Sequence, residues 1–167
     1  MSVSNVRYPI YLVSVTVNFA PFPGELSTVT VPLQRSRIRF TSAITLKHEV
    51  VLIDATTVKS VNLNGFDRIG FASGIYYSKF HKTLLKFAEE NLPNNKPVFF
   101  LYTYGAEKNG YTEAIEAVAR EKNSKILGSF GCFGFNTFGP FKLIGGIAKG
   151  HPDSNDLANA VALYEGL

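Results

Sequence analysis

Short apolar runs alternate with amphipathic stretches along most of this chain. Residues 10–17 (IYLVSVTV), 50–53 (VVLI), 69–72 (IGFA), 98–102 (VFFLY) and 126–133 (ILGSFGCF) are brief and rich in β-branched and aromatic residues. Runs that are apolar on both faces are what strands look like when a parallel sheet is covered on each side. Three stretches of helical periodicity lie between and after them. In residues 80–91, Phe80, Leu84, Leu85, Phe87 and Ala88 gather on one side, with His81, Lys82, Lys86, Glu89 and Glu90 on the other. In residues 113–123, Thr112 stands at the N-cap position, and Glu113 and Glu116 occupy the first turn, where the helix dipole favours acids. In residues 156–165, Leu157, Ala160, Val161 and Tyr164 repeat on one face, with Ser154 or Asn155 as cap. Strands alternating with helices predict an α/β fold built on a parallel sheet. Gly128 and Gly131 weaken the last strand or mark a bulge in it.

One connection breaks the pattern. A right-handed crossover between the first two strands should carry a helix. Residues 19–46 instead hold Pro21, Pro23 and Pro32 and the alternating run STVTV at 27–31. That is strand or loop chemistry, so the first crossover helix is expected to be missing or irregular. The alternative is a hairpin pairing residues 10–17 with 27–33 across APFPG.

Charge separates the same segment. Of the net +4, residues 1–46 contribute +3, from Arg7, Arg35, Arg37 and Arg39 against Glu25. Residues 47–167 contribute +1, from eleven Lys and two Arg against twelve acids. No nucleic-acid motif accompanies the basic run RSRIR, which reads as a solvated segment and not as a nucleic-acid site. The first 46 residues are either a divergent arm or a stretch translated in a frame that carries no selected information.

A chain of 167 residues, 46% hydrophobic, fits one compact domain spanning 1–167. No apolar run reaches the ~20 residues of a membrane helix, and residues 10–17 lack a small-x-small cleavage site after them. The single cysteine, Cys132, rules out an internal disulfide and fits a reducing cytoplasm; in a strand pattern it reads as a small buried hydrophobe. His48, His81 and His151 show no metal-ligand spacing. There is no nucleophile elbow, no P-loop and no dinucleotide fingerprint. Any chemistry would therefore belong to a cofactor.

Open α/β sheets bind ligands at the C-terminal ends of their strands. Three loops fall there: Ser14-Val15-Thr16-Val17-Asn18-Phe19 in and after the first strand, Ser73-Gly74-Ile75-Tyr76-Tyr77-Ser78-Lys79 after the third, and Thr103-Tyr104-Gly105-Ala106-Glu107 after the fourth. Tyr76 and Tyr104 either stack on a planar ligand or serve as amphipathic rim residues; Tyr77 and Tyr102 are expected to pack inward. Of the phenylalanines that follow, Phe130 and Phe133 read as core, and Phe135 and Phe138 as a lid.

Two segments carry a resemblance. RIGFASGIYYSKFHKTLLKFAEEN, residues 68–91, and FGCFGFNTFGPFKLIGGIAKGHPDSNDLANA, residues 130–160, resemble the flavodoxin-like family, in particular its small single-domain members. The resemblance spans residues 47–167. It implies a doubly wound sheet of order 2-1-3-4-5, bound FMN, and electron transfer to redox partner proteins. On that resemblance the phosphate falls to Ser14, Thr16 and Asn18, matching a S-x-T-G-N-T loop in which Val17 replaces the glycine and Phe19 the last threonine. Ser73, Gly74, Ile75, Tyr76, Tyr77, Thr103, Tyr104 and Gly105 would line the ring. Val17 resists a positive φ and Phe19 offers no donor, so phosphate capture is expected to be weakened. Two other readings stay open: a flavodoxin-fold oxidoreductase acting on a quinone or protoporphyrinogen-like substrate, and a degenerate domain that no longer binds FMN.

Overall fold

The computed structural model describes residues 10–14, 50–137 and 139–167. They build one open sheet flanked by helices. Its strands are β1 (Ile10–Ser14), β2 (Val50–Asp54), β3 (Arg68–Tyr76), β4 (Lys79–Phe80), β5 (Val98–Tyr104) and β6 (Ile126–Phe133). The order is β2-β1-β3-β5-β6, all parallel, with β4 antiparallel to the end of β3. Leaving out the two-residue β4, this is the expected 2-1-3-4-5.

Strand β1 sits between β2 and β3, with Ile10–Ser14 paired to Val50–Asp54 on one edge and to residues 68–72 on the other. Both edges are occupied, so residues 10–14 have none left for the alternative hairpin. Its other half, residues 27–33, lies outside the described residues, as does the first crossover.

Consecutive residues of a strand point to opposite faces, and β5 shows why its run is apolar throughout. Phe100 faces helices α1 (Lys82–Asn91) and α2 (Glu113–Glu121), in a core with Ile69, Phe71, Leu84, Phe87, Ile115 and Val118. Phe99 faces α3 (Ser154–Glu165), against Ala160 and Tyr164. Each fully buried side chain of this size contributes about 1.5–3 kcal/mol. Covering both faces removes any polar alternation from the central strands.

Two local details differ from expectation. The cap of α3 is Asp153, not Ser154 or Asn155: its carboxylate accepts from Asn155 N at 2.8 Å and Asp156 N at 3.0 Å, while Asp156 Oδ2 accepts from Asp153 N at 2.9 Å. Three capping residues in a row made the sequence ambiguous, and the carboxylate that can close a reciprocal box takes the position. The helix read as starting at Phe80 starts at Lys82, because Phe80 belongs to β4. The bulge expected in β6 is present: Val98 pairs with Ile126 and Phe99 with Gly128, leaving Leu127 as the extra residue. Among the described residues, no helix is long and apolar enough to cross a membrane.

Candidate functional site

The C-terminal edge of the sheet is built first by a hairpin. The stretch read as a loop, residues 73–79, is mostly strand: β3 runs on to Tyr76, the chain turns at Tyr77 and Ser78, and β4 returns with Ile75 opposite Phe80 and Tyr76 opposite Lys79. Both turn residues have positive φ, 49° at Tyr77 and 65° at Ser78, as a two-residue hairpin turn of primed type requires. Phe80 is fully buried and packs against Phe100 and Tyr102, anchoring the hairpin to the core.

Ser73 is turned into this anchor. It is 2% exposed; its hydroxyl donates to the Gly74 carbonyl at 2.6 Å and accepts from His81 N at 3.1 Å. His81 caps α1, with Nδ1 accepting from Thr83 N at 3.2 Å. Burial, and then the charge of Lys82, hold the His81 pKa below its ordinary value, which keeps that nitrogen free to accept.

Tyr76 is half-buried, edge-on to His81 at 5.1 Å and folded over Gly74, where a Cβ would meet its ring at 3.2 Å. Tyr77 corrects the expectation that it packs inward: it is 87% exposed, because the turn carries its side chain away from the sheet. Tyr104, the last residue of β5, is stacked on Tyr111 at 5.7 Å and edge-on to Phe133 at 5.1 Å. The Tyr111 hydroxyl donates to the Ala106 carbonyl at 2.5 Å and closes the loop between them. Tyr102 is half-buried beside Phe80, Tyr104 and Tyr111, its ring lying over Gly131. Burial raises the phenol pKa of Tyr76, Tyr102 and Tyr104, so the edge is lined by neutral aromatic rings.

The two loops meet. Lys108 Nζ, beyond β5, donates to Ser78 Oγ at the hairpin tip at 3.3 Å. Thr103 lies beneath Gly134, and Gly105 beneath Asn136, whose amide nitrogen is 2.4 Å from where a Cβ at Gly105 would stand. Asn136 is a neighbour of the site that the residue pattern did not single out; its antiparallel bridge to Ile147 fixes it there. Ser14 ends β1 beside Ala72 and Asp54, at the same edge of the sheet. Thr16 and Asn18 lie outside the described residues, as do Val17, Phe19, His48 and Phe138.

In the last loop Phe130 packs against the core of Phe99, Ala160 and Tyr164, as read, but Phe133 does not. Phe133 is 38% exposed and not core, since it follows the sheet out to its edge beside Tyr104. Phe130 and Phe135 are half-buried, Phe135 against Gly146. The exposed apolar residues there are Leu143 and Ile144, in a 3₁₀ turn at Gly139–Ile144. Cys132 is buried, and desolvation pushes its thiol up to about 12, an unreactive state. His151, read as having no metal-ligand spacing, comes together with Asp153 and Asp156, their ligand-capable atoms within 4.8 Å of one another. These contacts belong to the α3 cap, which His151 Nδ1 joins at 2.7 Å from Asp156 Oδ2.

An open, doubly wound sheet with aromatic loops at the C-terminal ends of adjacent strands defines a class that binds flat ligands at that edge. The flavodoxin domain family profile matches residues 41–135. An uncharacterized protein of Methanocaldococcus jannaschii is 38% identical over 100 residues, covering 59% of this chain and 67% of that protein. Among solved structures, a flavodoxin from the domain Archaea aligns over 93% of this chain and 92% of its own at TM-score 0.55 and 16% identity. Oxidised flavodoxin 1 from Bacillus cereus aligns over 95% and 99% at TM-score 0.60 and 9% identity, a likeness of fold alone. The chain belongs to the flavodoxin family, a class of flavin-binding electron carriers.

Proposed function

We propose that this protein is a single-domain cytoplasmic electron carrier with FMN as its flavin. Its ring would lie between the β3–β4 hairpin and the loop after β5, with Tyr77 and Tyr104 as its aromatic walls. Gly74, Ile75 and Tyr76 lie on one side, Thr103 and Gly105 on the other. Ser73 supports the hairpin through its buried hydroxyl. The phosphate would fall to Ser14, Thr16 and Asn18. The observation that carries this reading is an exposed Tyr77 in the hairpin turn and, at the end of β5, a Tyr104 stacked on Tyr111, with the hairpin tip and the loop after β5 touching through Lys108 and Ser78.

The lining suits the group. The rings of Tyr76, Tyr102 and Tyr104 are held neutral, and His81 is held below its ordinary pKa, so the walls offer stacking surface with little titrating charge. When bound, FMN would supply the electron chemistry. The protein's part is to hold the ring flat between tyrosines, exclude water from one face, and keep one edge open to a partner.

Titration of the full chain with FMN, followed by quenching of flavin fluorescence, tests the reading. Saturable binding is expected, weakened about three- to tenfold by Tyr77→Ala or Tyr104→Ala, the worth of one aromatic contact. A chain that takes up no FMN would overturn it. Turnover with a reduced pyridine nucleotide and a quinone would identify an enzyme instead of a carrier.

A further inference from the structure

Helix α1 carries its charges against its own dipole. Its first turn holds no acid and opens on Lys82; its last turn holds no base and ends with Glu89 and Glu90. A helix N-terminus favours acids, and a C-terminus bases, by about 0.3–1 kcal/mol each. At their N-termini the other two helices obey the rule, with Glu113 and Glu116 opening α2 and Asp156 in the first turn of α3; α2 also closes on Arg120, whereas the last turn of α3 holds no base. The exposed Lys86–Glu90 pair, at 3.6 Å, recovers little of what α1 loses.

The inversion places a cation at the ligand edge of the sheet. Lys82 follows the hairpin directly, Lys79 stands at its tip, and Lys108 reaches the same tip through Ser78. All three are exposed, and among the described residues none of them forms an ion pair. Of the acids on the facing loop, Glu107 lies near Tyr104 and adds one negative charge to this edge against the three lysines, while the Glu113 carboxylate lies against Gly110. Tyr77, in the hairpin turn next to Ser78, is 87% exposed.

We propose that the hairpin tip is a docking surface for a protein partner that presents carboxylates, with Tyr77 as its aromatic anchor and Lys79, Lys82 and Lys108 as its rim. An aromatic centre ringed by polar groups is how transient interfaces concentrate their energy. Rim charges of one sign steer the encounter and reject partners of like charge. A cation kept where the helix disfavours it is explained by such a role. That the partner gives or takes electrons rests on the flavin reading above; the acidity of its face does not.

Two forms of one probe test this: succinylated cytochrome c, whose lysines have become carboxylates, and native cytochrome c, which is basic. Binding of each to the full chain is measured by calorimetry, with and without added FMN. The acidic form should bind and the basic form should not. Affinity for the acidic form should fall at least about tenfold between about 20 and 200 mM salt, where the Debye length drops below the interface width. The K79E/K82E variant should lose at least about tenfold, whereas K125E, changed at the opposite edge of the sheet, should keep its affinity. K82E alone should raise the unfolding midpoint, since it repairs the dipole mismatch, so its loss of binding cannot be a loss of fold. Failure of the acidic form to bind, equal binding of both forms, or full affinity in K79E/K82E would overturn the proposal. If FMN is not taken up, the flavin reading fails and the binding comparison still decides the docking surface.

Discussion

Ser73 and His81, eight residues apart, are joined through a buried hydroxyl: Ser73 Oγ accepts a hydrogen bond from the His81 N–H at 3.1 Å and donates one to the Gly74 carbonyl at 2.6 Å. This contact ties the end of β3 to the start of α1, across the hairpin that carries Tyr76 and Tyr77. Replacing Ser73 by Ala leaves the His81 N–H buried without an acceptor. A cost of about 1–3 kcal/mol is expected, read from urea unfolding. Faster amide exchange at His81 should accompany it, whereas α3 should exchange as before.

The two histidines at this edge should give opposite pH dependences. His81 is held below its ordinary pKa by burial and then by Lys82, and its cap works only when Nδ1 is unprotonated. The unfolded chain therefore takes the proton first as pH falls. Stability is whole above about 6.5 and declines as pH drops through the unfolded value towards the folded one. His151 is raised, first by its hydrogen bond to Asp156, so its contribution is present below about 6.5 and is lost as pH rises through the folded value. Denaturant midpoints between about pH 5 and 8 check this. His81→Asn, which caps without titrating, should flatten the acid limb, and His151→Asn the other. A curve unchanged by both would refute the assignment.

Much of this architecture was legible in the residue pattern, for reasons that particular residues show. Phe99 and Phe100 are both fully buried on opposite faces, so β5 reads as an unbroken apolar run, which only a doubly covered strand permits. The hairpin was illegible because its turn is Tyr77-Ser78, with positive φ at both residues where Asn-Gly would have announced it. Phe80 was drawn into α1 by its spacing of four from Leu84, although it packs as a strand residue. Tyr77 and Phe133 looked like core because aromatic residues usually bury; at a ligand edge the fold leaves them out.

Gly131 is a second point at which the site depends on backbone. A Cβ there would lie 2.3 Å from the Tyr102 ring, which is hemmed in by Phe80, Tyr104 and Tyr111. Gly131→Ala should force that ring to shift and disturb the Tyr104–Tyr111 stack, at about 1–3 kcal/mol for overpacking. FMN affinity should fall with it. The double variant with Tyr102→Leu, which frees the space, should recover the stability; if it does not, the ring contact is not the cause.

The proposed phosphate end supplies the sharpest test of the FMN reading. If Ser14-Val15-Thr16-Val17-Asn18-Phe19 is set against a S-x-T-G-N-T loop, as the resemblance implies, Val17 stands where a glycine would allow positive φ, and Phe19 where a threonine would donate. Two lost interactions with a charged phosphate, at about 1.5–3 kcal/mol each, correspond to roughly two to four decades of affinity. The unaltered chain should therefore bind riboflavin almost as well as FMN, since both offer the same ring to Tyr77 and Tyr104. Val17→Gly with Phe19→Thr should tighten FMN and leave riboflavin where it was. Fluorescence titration with both flavins separates the outcomes. Tight FMN binding by the unaltered chain, or an equal gain for both ligands, would show that phosphate capture is not the weakened step.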